Sequence, residues 1–155
     1  MTMTKPKLLV SACLLGENCK YSGGNNGNAQ VQALSRYFQL IPVCPECFGG
    51  LPIPRDPSEI QNGRVVSKTG MDVTDAFTDG AEKTLYIARE ENCGLALLKE
   101  RSPSCGSHFV YDGTFSGTVI PGQGITAALL AEEGLELFSE ESIDRLLRLY
   151  APEEA

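Results

Sequence analysis

The sequence predicts an α/β fold: a three-layer α/β/α Rossmann-like domain with a mostly parallel sheet of about four strands. Three observations predict it. Short apolar runs alternate with segments of helical period along the chain. The runs are continuous rather than alternating, as expected of strands covered on both faces. The length, 155 residues, is that of one ordinary domain, and neither a repeat nor a linker interrupts it. Residues 1–155 are accordingly read as a single domain, with flexible ends at 1–6 and 151–155.

KLLVSA is the first strand, ending beside Cys13 and a glycine-containing loop. Asn28 caps a helix over AQVQALSRYFQ, where Val31, Leu34, Phe38 and Tyr37 fall near one face. QLIPV is the second strand and runs into Cys44-Pro45-Glu46-Cys47; the FGGLPIPRDP that follows is too rich in glycine and proline for a regular element. A helix from Asp72 or Thr74 covers DAFTDGAEKTLYIAREEN, with Phe77, Ala81, Leu85 and Ala88 as its apolar stripe and Gly80 as a weak point. CGLALLK is the third strand, opening into ERSPSCGS. FVYDGTFSGTV reads as a small hairpin or ordered excursion around Asp112-Gly113. GITAALLAEEG is a helix with Gly134 past its end, ELFS a fourth strand, and SEESIDRLLRLY a terminal helix.

Composition narrows the function. A formal net charge of -7 opposes a broad hold on phosphate backbones, which argues against duplex DNA, although a local cationic pocket can still hold a nucleotide or a docked tRNA. The start carries no secretory pattern, and no apolar run approaches the roughly 18 residues of a membrane span. A soluble, cytoplasmic protein is expected, with no membrane partner. Its six cysteines are then poor candidates for a disulfide scaffold and better ones for metal or redox chemistry.

Cys13, Cys44 and Cys105 each follow a predicted strand. Parallel strands bring their carboxyl ends to one edge, where α/β sheets bind ligands. Thiolates suit iron-sulfur clusters, zinc or copper(I), and three of them leave one iron of a cubane cluster open to substrate. Three other readings stay open at this point. The cysteines are small buried apolar residues; or they hold a cluster or zinc in a non-enzymatic sulfur carrier or sensor; or Cys44 and Cys47 form a C-x-x-C dithiol oxidoreductase. A zinc site normally has four ligands in paired knuckles, and no second C-x-x-C is present. Cys19 and Cys93 stay open as fourth ligands, with local packing the favoured reading of both.

Four segments are distinctive: SACLLGENCKYSGG at 11–24, PVCPECFGGLPIPR at 42–55, GMDVTDAF at 70–77 and LLKERSPSCGS at 97–107. Together they resemble the DUF523 family, whose characterised members include the thiouracil desulfidases, and the resemblance spans nearly the whole chain. It implies a [4Fe-4S] cluster held by Cys13, Cys44 and Cys105, with the fourth iron free to take sulfur from a thiolated uracil-type base. It implies catalytic roles for Glu46, in C-P-E, and for Ser102, opening S-P-S-C, with Cys47 outside the ligand set; Ser104, which with Ser102 flanks Pro103, is read from its position as support. The expected reaction converts thiouracil or a thiolated uridine derivative to the oxo base and sulfide, as a carbon-sulfur hydrolase; the substrate is a thiolated pyrimidine base, nucleoside or nucleotide. Aerobic preparation is expected to empty or alter so labile a site.

Lys99, Arg101 and Arg55 flank these loops and are read as surface charges, with a substrate phosphate as the functional alternative. His108, the only histidine, lacks a nucleophile motif around it and is read as structural. No G-x-G-x-x-G or phosphate-loop pattern is present, so nothing points to a nucleotide cofactor.

Overall fold

The computed structural model describes residues 5–151; the ends expected to be flexible lie outside this range except for residues 5, 6 and 151. In chain order, β1 (Lys7–Ser11) leads through a 3-10 turn (Ala12–Leu15) and a long loop to α1 (Ala29–Gln32), which tightens into a second 3-10 turn (Ala33–Arg36). Then come β2 (Gln39–Val43), α2 (Pro45–Phe48), β3 (Ser58–Gln61), β4 (Arg64–Ser67) and α3 (Thr74–Glu90). The chain ends with β5 (Leu95–Leu98), β6 (Phe109–Tyr111), β7 (Val119–Pro121), α4 (Ile125–Glu132), β8 (Glu136–Ser139) and α5 (Ile143–Tyr150).

The central sheet has four parallel strands in the order β2-β1-β5-β8. Alternate residues of these strands enter opposite cores, which is why their sequences are apolar throughout. Leu8, Val10, Leu97 and Phe138 meet Val31, Leu34 and Phe38 from the first helical segment and Leu146 from α5. Leu9, Ala96 and Leu98 meet Leu85 and Ala88 of α3 and Ala127 and Leu130 of α4. Helices therefore cover both faces, and the α/β/α expectation is met.

Strand order also fixes the ligand edge. From β1 the chain first adds β2 on one side and later β5 and β8 on the other, so the order reverses between β1 and β5. A crevice opens at the carboxyl ends of strands at such a reversal. Cys13 follows β1, Cys44 follows β2, and the 99–105 loop follows β5.

Two elements depart from expectation. The helix predicted over 29–39 is α-helical only to Gln32. Asn28 caps it as predicted, its side chain accepting from the Gln30 and Val31 amides at 2.9 and 3.1 Å. The chain must then enter β2 at Gln39, whose pairing with Lys7 claims the predicted last turn. The second departure is an unforeseen antiparallel hairpin, β3–β4. Asn62 and Gly63, at φ 51° and 78°, form its tight turn, and Asn-Gly between two runs of four strand residues is the signature of that turn.

Gly80, a weak point by helix propensity, has a packing reason. A Cβ there would lie 1.9 Å from the Pro45 carbonyl oxygen, and one at Gly49 would lie 2.0 Å from that of Ala76. These two glycines let α2 sit backbone to backbone against α3. Alanine in an exposed helix position is worth about 1 kcal/mol over glycine. Gly80→Ala is expected to do the reverse here, destabilising by about 3 kcal/mol, at the upper end for overpacking, because both atoms in conflict are held by backbone. A lowered denaturant midpoint at unchanged slope measures it.

Candidate active site

The 12–24 loop, α2 with its flanking residues, and the 99–105 loop enclose a cleft of about 450 Å³ at the carboxyl edge of the sheet. Cys13, Cys19, Cys44, Glu46, Ser102, Ser104 and Cys105 all border it. All six cysteines are free thiols. Cys13 and Cys44 are half-buried, whereas Cys105 is 5% exposed.

Each cysteine reaches the cleft by a different local device. Cys13 lies in the 3-10 turn after β1, and its sulfur accepts from the Asn26 side-chain amide at 3.4 Å. Cys44 is the N-cap of α2, whose first residue, Pro45, has no amide to satisfy. Cys105 is held by the start of α4: the amides of Ile125, Thr126 and Ala127 donate to the Pro103 and Ser104 carbonyls at 2.9–3.1 Å. Gly124 lets that helix approach, since a Cβ there would meet the Ser104 backbone at 2.5 Å.

Burial pushes the Cys105 thiol up to about 12, with the neighbouring Cys13 adding to the shift and hydrogen bonds from Ser11 and Ser104 opposing it. Burial also raises Cys13, and Cys44 adds to that. Cys44 goes the other way, pulled down to about 6 chiefly by a hydrogen bond from the Cys19 thiol, against burial. Cys44 and Cys47 both direct their sulfurs at the Cys19 carbonyl, at 3.7 and 3.8 Å. Cys13 thus lies close enough to influence both of the other strand-end thiols. Even so, among the described residues no three His, Cys, Asp or Glu side chains close on a single metal ion.

Glu46 stands opposite the third loop. Its Oε1 accepts from Arg55 Nε at 3.0 Å and its Oε2 from the Ser104 hydroxyl at 2.9 Å. Ser102 Oγ is 2.9 Å from Ser104 Oγ and itself accepts the amides of Ser104 and Cys105 at 3.1 and 3.0 Å. Because a carboxylate only accepts and Ser104 has one hydroxyl proton, the chain runs in one direction: Ser102 donates to Ser104, and Ser104 to Glu46.

Residues 8–142 match the 2-thiouracil desulfurase family. The chain belongs to that family. The Bacillus subtilis (strain 168) protein YbbK is 41% identical over a 150-residue alignment that covers 90% of this chain and 99% of YbbK. The solved structure of the [4Fe-4S]-dependent thiouracil desulfidase TudS superposes with a TM-score of 0.88 at 43% identity, covering 94% of this chain and 97% of that one.

In this family member, the catalytic and ligand residues expected from sequence share one cleft, with Ser104 in contact with Glu46 and Ser102 one hydroxyl further away. Arg55 departs from its reading as a surface charge. Its side chain is only 7% exposed and paired with Glu46. Burial works against the guanidinium charge, but the adjacent Glu46 carboxylate more than offsets this and holds the Arg55 pKa above its usual value. Lys99 and Arg101 pair with Glu140 and Glu141. His108 Nδ1 meets Ser107 Oγ at 2.8 Å on the outer side of the loop, in keeping with a structural role.

Two buried carboxylates were not singled out from sequence. Glu59, on the unforeseen hairpin, accepts the amides of Gly113 and Phe115 at 3.0 and 3.1 Å and borders the cleft. Glu100 accepts the amides of His108 and Phe109 and the Ser107 hydroxyl, each at 2.9 Å, closing the loop that carries Cys105. Burial raises its pKa, but these donors outweigh it and leave the carboxyl below its usual value. With the folded value below the unfolded one, Glu100 stabilises above the unfolded pKa, and that contribution is lost as pH falls through the folded value. Glu100→Gln is expected to lower stability by about 2 kcal/mol at neutral pH, the scale of hydrogen bonds to a charged group. It should also flatten the acid limb below about pH 4, measured as denaturant midpoints from pH 7 to 3.

Proposed function

We propose that this protein is a [4Fe-4S]-dependent desulfidase that removes sulfur from a thiolated pyrimidine base, nucleoside or nucleotide, leaving the oxo base and sulfide. The observation that carries the reading is the convergence of three thiols from three strand ends on one cleft that also holds Glu46. Family membership and the likeness to TudS supply the chemistry.

The donor set fits the cluster. Cys13, Cys44 and Cys105 are soft ligands that reach one cleft from three separate segments, the arrangement that ligands to different irons of a cluster need. Cluster sulfurs accept hydrogen bonds, and Asn26 and Ser104 stand beside the Cys13 and Cys105 sulfurs at 3.4 and 3.7 Å. When bound through three thiolates, the cluster supplies an iron without a protein ligand, a soft Lewis acid for the thiocarbonyl sulfur.

The chain's own residues supply the proton steps. Glu46 Oε2 is the general base, taking a proton from the water that attacks the thiocarbonyl carbon. Ser104 donates to Oε2 and holds it toward the Cys105 loop, Ser102 orients the Ser104 hydroxyl in turn, and the proton that Glu46 takes from water passes on to the departing sulfide or the ring nitrogen. No described helix is long and apolar enough to cross a membrane. Six free thiols support a reducing compartment, the cytoplasm, as its location.

Anaerobic purification followed by iron, zinc and acid-labile sulfide analysis tests the cofactor, and incubation with 2-thiouracil and thiolated nucleosides tests the reaction. Bound iron and sulfide, with new sulfide released from substrate, are expected. Zinc without labile sulfide would sink the proposal.

A further inference from the structure

Arg55 has no part in the steps above, yet its surroundings are specific. An arginine is rarely buried unless it is paired, and Arg55 spends every arm of its side chain on a partner. Nε donates to Glu46 Oε1 at 3.0 Å, Nη2 to the Cys19 carbonyl at 2.9 Å, and Nη1 to the Pro52 carbonyl at 3.2 Å. Its backbone amide donates to the Tyr21 carbonyl at 2.8 Å. Glu46 belongs to α2, while Cys19 and Tyr21 belong to the 12–24 loop. One rigid planar fork therefore sets the distance between two walls of the cleft.

The two oxygens of a free glutamate exchange by rotation about its last bond. Here they do not share donors. Arg55 occupies Oε1, and that leaves Oε2 to Ser104. A lysine in the same place would be a point charge without the fork, able to reach the carboxylate or the carbonyl but not to fix the plane between them.

We propose that Arg55 is a positioning residue for Glu46: it holds Oε1 so that Oε2 alone faces the Ser104–Ser102 hydroxyl chain, and it locks α2 to the 12–24 loop while doing so. The consequence for turnover rests on the desulfidase reading; the consequence for geometry does not. An ion pair with a merely structural role would contribute stability and leave the carboxylate in place when broken.

The test uses Arg55→Ala and Arg55→Lys, purified anaerobically beside wild type. In a crystal structure of Arg55→Ala, the Glu46 carboxylate is expected to have left hydrogen-bond distance of Ser104 Oγ; a carboxylate still seated there overturns the proposal, whatever the substrate. With iron and sulfide content equal to wild type, kcat on 2-thiouracil should fall roughly 10- to 100-fold at nearly unchanged KM, the scale of a misplaced catalytic group. Guanidinium ion below denaturing concentration should restore part of the Arg55→Ala rate and none of the Glu46→Gln rate. Lack of rescue in a variant that has also lost its iron marks a structural ion pair and overturns the proposal. If Arg55→Ala does not fold, Arg55→Lys decides: reduced kcat with full iron supports positioning, and wild-type kcat refutes it. Wild-type protein with a full cluster but no sulfide release would instead remove the desulfidase reading, and the carboxylate position would still settle the role of Arg55.

Discussion

Cys105→Ser is expected to leave a folded protein that no longer retains iron. The substitution changes one buried atom. Serine has nearly the same shape, and its hydroxyl has a polar neighbour in place, Ser104 Oγ, which lies 3.7 Å from the Cys105 sulfur. The cost of burying a satisfied hydroxyl is small beside that of an unsatisfied one. The loop is fixed independently of that side chain, by Glu100 at one end and the start of α4 at the other. Ligation changes far more, because a neutral hydroxyl is a poor replacement for a thiolate at a soft iron site. Even residues that only support a metal ligand are worth about 10- to 100-fold in affinity, so iron and labile sulfide per chain should fall by at least that range. Cys13→Ser and Cys44→Ser should match it. Cys47→Ser is the contrasting case: Cys44 borders the cleft and Cys47 does not, so iron content and activity should survive. Loss of activity in Cys47→Ser with the cluster intact would favour the dithiol reading.

The strand ends were legible because their signal is local and dense. QLIPV and ELFS coincide with β2 and β8, the helix starting at Thr74 is where its stripe of Phe77, Ala81, Leu85 and Ala88 put it, and parallel connection then forces Cys13, Cys44 and Cys105 to one edge. What composition and spacing could not decide was which metal chemistry three thiols serve; that expectation came from four motifs as a family pattern, and the match over residues 8–142 bears out the family. The hairpin at Ser58–Ser67 was missed although Asn62-Gly63 announced it, because a glycine- and proline-rich stretch just before it read as one long loop. Arg55 was misread for a different reason. Its burial is created by segments 30 or more residues away, at Cys19 and Tyr21, together with Glu46, and no local window contains that information. Gly80 is similar: by propensity a defect, by packing the contact that lets α2 present Cys44 and Glu46.

Glu46→Gln should lower kcat by roughly 10²- to 10⁴-fold, the usual worth of a general base, without lowering iron content. Glutamine preserves the length and shape of the side chain. Its carbonyl oxygen can still accept from Arg55, so the wall of the cleft is held. Its other end is an NH₂ group, a donor, and it therefore faces Ser104 Oγ with the wrong polarity: the hydroxyl chain from Ser102 loses its terminal acceptor and reverses. Two properties vanish together, the capacity to take a proton and the direction of the hydroxyl chain, while the three thiols are untouched. Glu46→Asp separates them. It keeps the acceptor but retracts it by one methylene from both Arg55 and Ser104, so its rate should lie between wild type and Glu46→Gln. Ser104→Ala breaks the hydroxyl chain at its centre, whereas Ser102→Ala also removes the acceptor for the Ser104 and Cys105 amides and should loosen the Cys105 loop. The order of rates across these variants, read at equal iron content, tells whether Glu46 works as a base at the end of a directed chain. Wild-type turnover by Glu46→Gln would move the proton chemistry to another group on the cleft wall.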